Sequence, residues 1–130
     1  MKLLKGGTIM SEQKDPNGKG LHDLGAKADL GKPRMELLPL EAICEVAKVM
    51  TFGANKYTDG GWRHVPDGIR RYEGAMLRHL MQEEFEELDD ETGELHAAAV
   101  ACNALFRLQL ILDERRNTEH LDDKTTRGNE

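Results

Sequence analysis

Apolar residues recur at helical spacing in three segments of this 130-residue chain, and this periodicity is what most constrains its fold. The first predicted helix begins after Pro39, ends at Gly53 and carries four apolar residues on one face: Ile43, Val46, Ala47 and Met50. A second helix is expected over residues 67–88, with Asp67 as its N-cap, and a third over residues 94–116. No segment alternates convincingly with period two, so we predict an all-α helical bundle.

The composition favours one small domain in the cytoplasm. With 18 Lys and Arg against 24 Asp and Glu, the net charge is −6, which disfavours nonspecific binding to nucleic acid. Cys44 and Cys102 fall in predicted helices without CxxC spacing, so we expect inert core thiols rather than disulfides or a zinc site. The first residues lack an apolar signal region, and no apolar run is long enough to span a membrane.

The chain is expected to have three parts. Residues 1–30 are rich in Gly and Lys, which predicts a flexible arm or a basic arm that closes over an anionic ligand. Residues 31–116 form the helical domain, and residues 117–130 form a polar, frayed tail. Hydrophobic residues make up 38% of the chain, a thin core for a monomer, so we expect a homodimer or homotetramer to complete the bundle.

Acidic residues crowd the end of the second predicted helix. His79, Glu83, Glu86 and Asp90 would share one stripe, with Glu87 on its shoulder. Like charges at this spacing repel one another, and a hard cation such as Mg²⁺ or Mn²⁺ would compensate because both prefer oxygen ligands. A solvated acidic face is the equal alternative.

Other hydrolase signatures are missing from the sequence. It contains no phosphate-binding GxxxxGK[ST] loop and no GxSxG nucleophile elbow. The one His-Asp doublet, His22-Asp23, has no histidine before it, as a histidine–aspartate metallophosphohydrolase would need.

Short motifs follow one another in order over residues 29–112. They are Gly31-Lys32-Pro33-Arg34, Leu37-Leu38-Pro39, the segment 51–57, Gly61-Trp62, Arg71-Tyr72, Arg78-His79-Leu80, the acidic segment 86–91 with Thr92-Gly93, and the segment 96–106. Together they resemble the phage dATP/dGTP diphosphohydrolase family, a MazZ-like branch related to the all-α MazG-type nucleoside triphosphate pyrophosphohydrolases.

The resemblance implies a metal-dependent hydrolase. Such enzymes use Mg²⁺ or Mn²⁺ to cut a purine deoxynucleoside triphosphate into its monophosphate and pyrophosphate; here dGTP is expected, with dATP as a second candidate. The dGMP would serve 2-aminoadenine nucleotide synthesis in a phage. MazG-type enzymes hold metal with ExxE and ExxD. Glu83, Glu86, Glu87 and Asp90 are the expected ligands, with Glu83 and Glu87 also catalytic. The third helix has no ExxD, so Asp89, Asp90 or Glu91 would complete the set.

Eight residues are expected to bind the substrate: Lys32, Arg34, Lys56, Tyr57, Trp62, His79, His96 and Asn103. The three cations would contact phosphates. Tyr57 and Trp62 would stack on the purine or anchor the core, and Asn103 would read the base edge or pair two helices. The alternative function is a noncatalytic helical module that binds a nucleotide or a partner, with a solvated acidic face.

Overall fold

The computed structural model describes residues 2–3, 9–10 and 13–128, and its regular structure is almost entirely helical. Three α-helices follow in chain order: α1 (Leu40–Lys56), α2 (Gly68–Gln82) and α3 (His96–Arg127). Two 3₁₀ turns, Met35–Leu37 and Gly61–His64, precede α1 and α2. The prediction of an all-α fold is confirmed. In the described residues, no helix is long and apolar enough to cross a membrane.

The chain divides into two compact units. The first comprises Met1–Leu37 and Glu119–Glu130. It contains one short antiparallel pair, β1 (Lys2–Leu3) with β2 (Ile9–Met10). A turn in this unit is organised by Asp15, whose carboxylate accepts hydrogen bonds from the backbone N–H of Asn17 and of Lys27, both at 2.7 Å. These bonds, above all the one from Lys27, lower the pKa of Asp15. The flexibility expected for residues 1–30 stays a prediction.

The second unit, Leu38–Thr118, contains α1, α2 and most of α3. α1 begins after Pro39 as predicted, but it continues through Gly53 to Lys56, so the predicted end at Gly53 is wrong. A glycine inside a helix costs only about 1 kcal/mol relative to alanine, and the residues after it are compatible with a helix. The left-handed turn that a glycine favours comes later, at Gly60, where φ is 68°.

α2 begins after its predicted N-cap, Asp67, although that side chain makes no capping hydrogen bond. The helix ends at Gln82, not near Leu88 as predicted. Residues 83–87 include four glutamates, which would stand beside one another and at the negative end of the helix dipole. Both effects oppose further helix. The predicted helical stripe is therefore wrong: His79 lies on α2, but Glu83, Glu86, Glu87 and Asp90 lie beyond its end.

α3 begins at His96 and runs to Arg127, well past its predicted end at residue 116. The polar segment expected to be frayed is thus helical as far as Arg127. No glycine or proline interrupts residues 96–127, and Gly128 follows directly. Three threonines in the extension donate their hydroxyl hydrogens to carbonyl groups four residues earlier: Thr118, Thr125 and Thr126. These bonds use polar side chains without breaking the helix.

The buried core of the second unit is small. Among the described residues its buried apolar side chains are Val46, Ala98, Ala99 and Cys102. Of the predicted apolar face of α1, only Val46 is buried. Burial raises the pKa of the Cys102 thiol to about 11, which suits the expected inert thiol. Cys44 is exposed, so its predicted place in the core is wrong.

Aromatic side chains join α2, α3 and the Gly61–His64 turn. Trp62 stacks on Phe106 with ring centroids 4.2 Å apart, and Tyr72 meets Phe106 edge-on at 5.0 Å. The Tyr72 hydroxyl donates to the Trp62 carbonyl oxygen at 2.8 Å. Arg63 also makes a two-pronged hydrogen bond to Asp113 on α3, at 2.9 and 3.2 Å. These contacts fix the turn against α3.

We expect Phe106→Leu to lower the free energy of unfolding by about 1–3 kcal/mol, because two aromatic contacts are lost at about 0.5–1.5 kcal/mol each. Phe85→Leu is the matched control: Phe85 is 87% exposed, so the same exchange should cost less than about 0.5 kcal/mol. Urea denaturation followed by circular dichroism measures both variants. Equal losses in the two variants would contradict the role given to Phe106.

Candidate active site

An open groove of about 1300 Å³ lies in the second unit. Its walls come from the second half of α1, the segment through the Gly61–His64 turn, α2, the turn before α3, and α3 itself. His79 and Asp89 both line this groove. A second, smaller cavity of about 260 Å³ lies next to it. Asp89 lines both cavities, and His96 lines the smaller one.

Two histidine rings meet between these cavities. His79 is in the last turn of α2, and His96 is the first residue of α3. Their Nδ1 atoms are 2.9 Å apart, which is a hydrogen bond in which one ring donates and the other accepts. His96 is buried and His79 is half-buried. Burial lowers the pKa of the His79 imidazole, and the nearby Asp89 carboxylate opposes that shift.

Asp89 is aimed at this pair by the turn between α2 and α3. The turn closes through an antiparallel bridge between Leu88 and Leu95 and through a hydrogen bond from the Asp89 N–H to the Glu94 carbonyl at 2.8 Å. Gly93 supplies the left-handed residue, with φ 73°. One carboxylate oxygen of Asp89, Oδ1, accepts the Glu91 N–H at 2.7 Å. The other, Oδ2, lies 3.6 Å from His79 Nδ1.

These side chains are the ones best placed to hold a cation. His79, Asp89 and His96 each offer one ligand atom, and the three atoms lie within 4.8 Å of one another. We call this set the His–Asp–His cluster. Two imidazole nitrogens and a carboxylate oxygen are common ligands of divalent transition metals. The cluster therefore fits a metal ion without any glutamate from residues 83–87.

The predicted metal ligands are divided by the structure. Glu86 and Asp90 line the smaller cavity, together with Asp89 and His96. Glu83 and Glu87 are exposed, and neither side chain lines either of these two cavities. Their predicted catalytic role, and the predicted ligand role of all four acids, stay predictions.

Most of the predicted substrate-binding residues do come together. Five line the groove: Lys56, Tyr57, Trp62, His79 and Asn103. His96 lines the smaller cavity instead. Lys32 and Arg34 belong to the first unit, where the Arg34 guanidinium bonds Glu36 at 2.9 Å.

The residues with two expected roles differ in their surroundings. Tyr57 is 73% exposed, and the Lys56 ammonium lies 5.2 Å from its ring centre. The exposed ring is therefore accessible to a ligand that stacks on it. Trp62 has one face covered by Phe106 and is a packing residue of the groove wall. Asn103 is buried in the floor, where its Nδ2 donates to the Ala99 carbonyl at 2.8 Å within α3.

Sequence reasoning missed the arginines of α2 as candidate phosphate ligands. Arg71 and Arg78 line the groove and are seven residues apart, so they share one face of the helix. Gly74 and Ala75 lie between them on that face and leave space. A Cβ atom on Gly74 would approach the Arg78 Nη1 to 3.3 Å, so this guanidinium lies back over the glycine. The sequence signal for this pair is two arginines seven residues apart with Gly74 and Ala75 between them, a spacing that places both on one helix face.

Lys56, at the end of α1, also lines the groove, and its side chain is in an ion pair. Its ammonium forms an ion pair with Glu91, in the turn that also carries Asp89. This pair raises the pKa of Lys56. It joins the end of α1 to the turn before α3.

Comparison with known proteins agrees with the motif resemblance. A family model described as dATP/dGTP diphosphohydrolase, N-terminal, matches residues 22–122. A dATP/dGTP diphosphohydrolase of Salmonella phage PMBT28 is 35% identical over 88 residues, which are 67% of this chain and 30% of the relative. The chain thus spans less than a third of that relative's length. No solved structure matches the chain. Because the family model covers most of its residues, the chain belongs to the dATP/dGTP diphosphohydrolase family and corresponds to its N-terminal region.

Proposed function

We propose that this chain hydrolyses purine deoxynucleoside triphosphates, dGTP first and dATP second, to the monophosphate and pyrophosphate. The observation that carries the proposal is that His79 and Asp89, two members of the His–Asp–His cluster, line the same groove as Arg71 and Arg78. The printed name of the phage relative supports the substrate class. A triphosphate carries about four negative charges, and a site with this many carboxylates would accept it only through a cation.

A divalent ion such as Mn²⁺, held by the cluster, would neutralise phosphate charge and lower the pKa of a bound water. Side chains of the protein would bind the phosphates and accept the proton from water. Arg71 and Arg78 would donate charge-assisted hydrogen bonds to phosphate oxygens along α2. Glu86 and Asp90, beside the cluster in the smaller cavity, are the carboxylates best placed to accept a proton from the attacking water.

Recognition of the base would fall to the other side of the groove. The exposed Tyr57 ring offers a stacking surface. The Asn103 amide offers both a donor and an acceptor to the edge of a purine, and its place in the floor supports this role. Trp62 would support the groove wall through Phe106 rather than contact the base.

The phage origin of the relative supports a place for this reaction during infection. Conversion of dGTP to dGMP would supply the monophosphate for 2-aminoadenine nucleotides and lower the dGTP pool. The enzyme would then act in the cytoplasm of the host cell.

The first test is product analysis with each of the four deoxynucleoside triphosphates and Mg²⁺ or Mn²⁺. We expect dGMP and pyrophosphate from dGTP, a slower reaction with dATP, and loss of both with excess EDTA. Ion-exchange chromatography separates the products. Release of orthophosphate would refute cleavage between the α- and β-phosphates. Binding of dGTP without turnover would favour the noncatalytic module instead.

The second test concerns the α2 arginines. Arg78→Gln should lower kcat/KM for dGTP by roughly 10–100-fold, because a charge-assisted hydrogen bond contributes about 1.5–3 kcal/mol. Gly74→Ala should give a smaller loss by displacing the same guanidinium. Arg115→Gln, an exposed arginine of α3, is the control and should leave kcat/KM within about twofold. An unchanged kcat/KM in Arg78→Gln would remove this residue from the site.

We also propose that the chain works as a homodimer or homotetramer. No large side chain is fully buried among the described residues. In the second unit, large apolar side chains are exposed on all three helices: on α1 Leu40 and Ile43, on α2 Leu77, Leu80 and Met81, and on α3 Leu105, Leu108 and Ile111. Exposed apolar surface of this extent is typical of a face that packs on another subunit.

Light scattering coupled to size exclusion should therefore give a mass of two or four times 14.6 kDa at micromolar concentration. Leu108→Glu, on the exposed face of α3, should shift the population towards the single chain because a charge in an apolar interface is poorly solvated. Arg115→Gln again serves as the control. A stable monomer of the unaltered chain would contradict the proposal.

A further inference from the structure

We infer that the His–Asp–His cluster is the primary metal site of this chain and that it takes a first-row transition-metal dication in preference to Mg²⁺. The inference rests on the proposed function, since it assigns the cation which that hydrolysis requires. It differs from the expected site in its ligands, because the four predicted ligands are all carboxylates, and of the two expected metals, Mg²⁺ and Mn²⁺, it excludes Mg²⁺. Metal binding can be measured without any nucleotide, so the two proposals can fail separately.

The distances within the cluster suit a single ion. Two ligand atoms at about 2.1 Å from one metal lie roughly 3.0 Å apart at an octahedral angle and roughly 3.4 Å apart at a tetrahedral one. The two Nδ1 atoms are 2.9 Å apart, and His79 Nδ1 lies 3.6 Å from Asp89 Oδ2. Both separations come close to these values, and all three ligand atoms lie within 4.8 Å of one another.

The hydrogen bond between the rings points to the same conclusion. The two Nδ1 atoms face each other, and only one of them can carry the shared proton. A metal ion bound by both Nδ1 atoms would displace that proton, with the rings turned so that both lone pairs point at the ion. His96 is buried at the first residue of α3 and His79 lies in the last turn of α2, so the two helix ends bring the rings together.

The local charge favours a cation as well. Asp89 commits Oδ1 to the Glu91 N–H, which holds the carboxylate in place and leaves Oδ2 towards His79. Glu86 and Asp90 line the smaller cavity beside His96 and would add negative charge around a bound ion.

The donor set decides the class of metal. Imidazole nitrogens suit Fe²⁺, Ni²⁺, Cu²⁺ and Zn²⁺, and the affinity of a given site generally rises from Mn²⁺ through Co²⁺ towards the later metals. Mg²⁺ loses its water reluctantly and binds through oxygen ligands. A cluster with two nitrogens and one carboxylate oxygen therefore selects against Mg²⁺. A site built from the glutamates of residues 83–87 would have the opposite preference.

The test is titration of the metal-free full chain with Co²⁺, followed through the visible absorption of the bound ion. We expect one intense set of bands, removed by stoichiometric Zn²⁺ and unaffected by a hundredfold excess of Mg²⁺. Asp89→Asn and His79→Gln should weaken Co²⁺ binding by at least about 100-fold, because loss of even an outer partner of a metal site costs 10–100-fold. Glu84→Gln, a charge change on a nearby exposed residue, is the control and should bind Co²⁺ normally.

Thermal melts of the metal-free variants separate a lost ligand from a lost fold. His79 and Asp89 are partly exposed, so both variants should melt near the unaltered chain without metal and lack its stabilisation by Co²⁺. If either variant unfolds, Mn²⁺ electron paramagnetic resonance of the unaltered chain still reports nitrogen ligands directly through hyperfine coupling to the imidazoles.

Three results would overturn the inference: competition by Mg²⁺ at equal concentration, a Co²⁺ spectrum unchanged in Asp89→Asn, or loss of that spectrum in Glu83→Gln alone. If Co²⁺ binds at the cluster but no deoxynucleoside triphosphate is cleaved, the inference stands and the proposed function fails. If cleavage proceeds with Mg²⁺ and only glutamate variants lose the metal, the proposed function stands and the inference fails.

Discussion

Electrostatic repulsion at the end of α2 is the constraint on which the candidate site depends. Four glutamates follow Gln82, and a helix through them would place like charges side by side at the negative end of its dipole. Six further residues would also carry the chain about 9 Å along the axis. Because α2 stops at Gln82, the chain can turn back within residues 83–95. That turn brings Asp89 and His96 to His79.

The glutamates of residues 83–87 oppose the continuation of α2, a role that their helical spacing does not indicate. An ExxE spacing fits the period of a helix, so a metal-binding stripe was a reasonable interpretation of residues 83–87. The same charges also make helix unfavourable over residues 83–87, because they repel one another at the negative end of the α2 dipole. The acids that line the smaller cavity, Glu86, Asp89 and Asp90, lie in the turn after α2, where helical periodicity does not apply.

Much of the fold follows from local signals in the sequence. Pro39 and Asp67 mark the starts of α1 and α2, and the apolar periodicity identifies all three helices. Helix ends were harder, since Gly53 is tolerated inside α1 and the polar end of α3 has no residue that breaks a helix before Gly128. Within the site, Lys56, Tyr57, Trp62 and Asn103 could be found from motifs. The pairing of His79 with His96 could not, because it depends on the path of the turn.

The central claim is that His79, Asp89 and His96 share one metal ion. Anomalous diffraction from a crystal grown with Mn²⁺ tests it most directly, with data collected on both sides of the manganese absorption edge. The account predicts one strong peak at about 2.1–2.2 Å from the Nδ1 atoms of both histidines and from Asp89 Oδ2. A peak bound only by Glu83, Glu86 or Glu87, with the two histidine rings still hydrogen-bonded to each other, would contradict it.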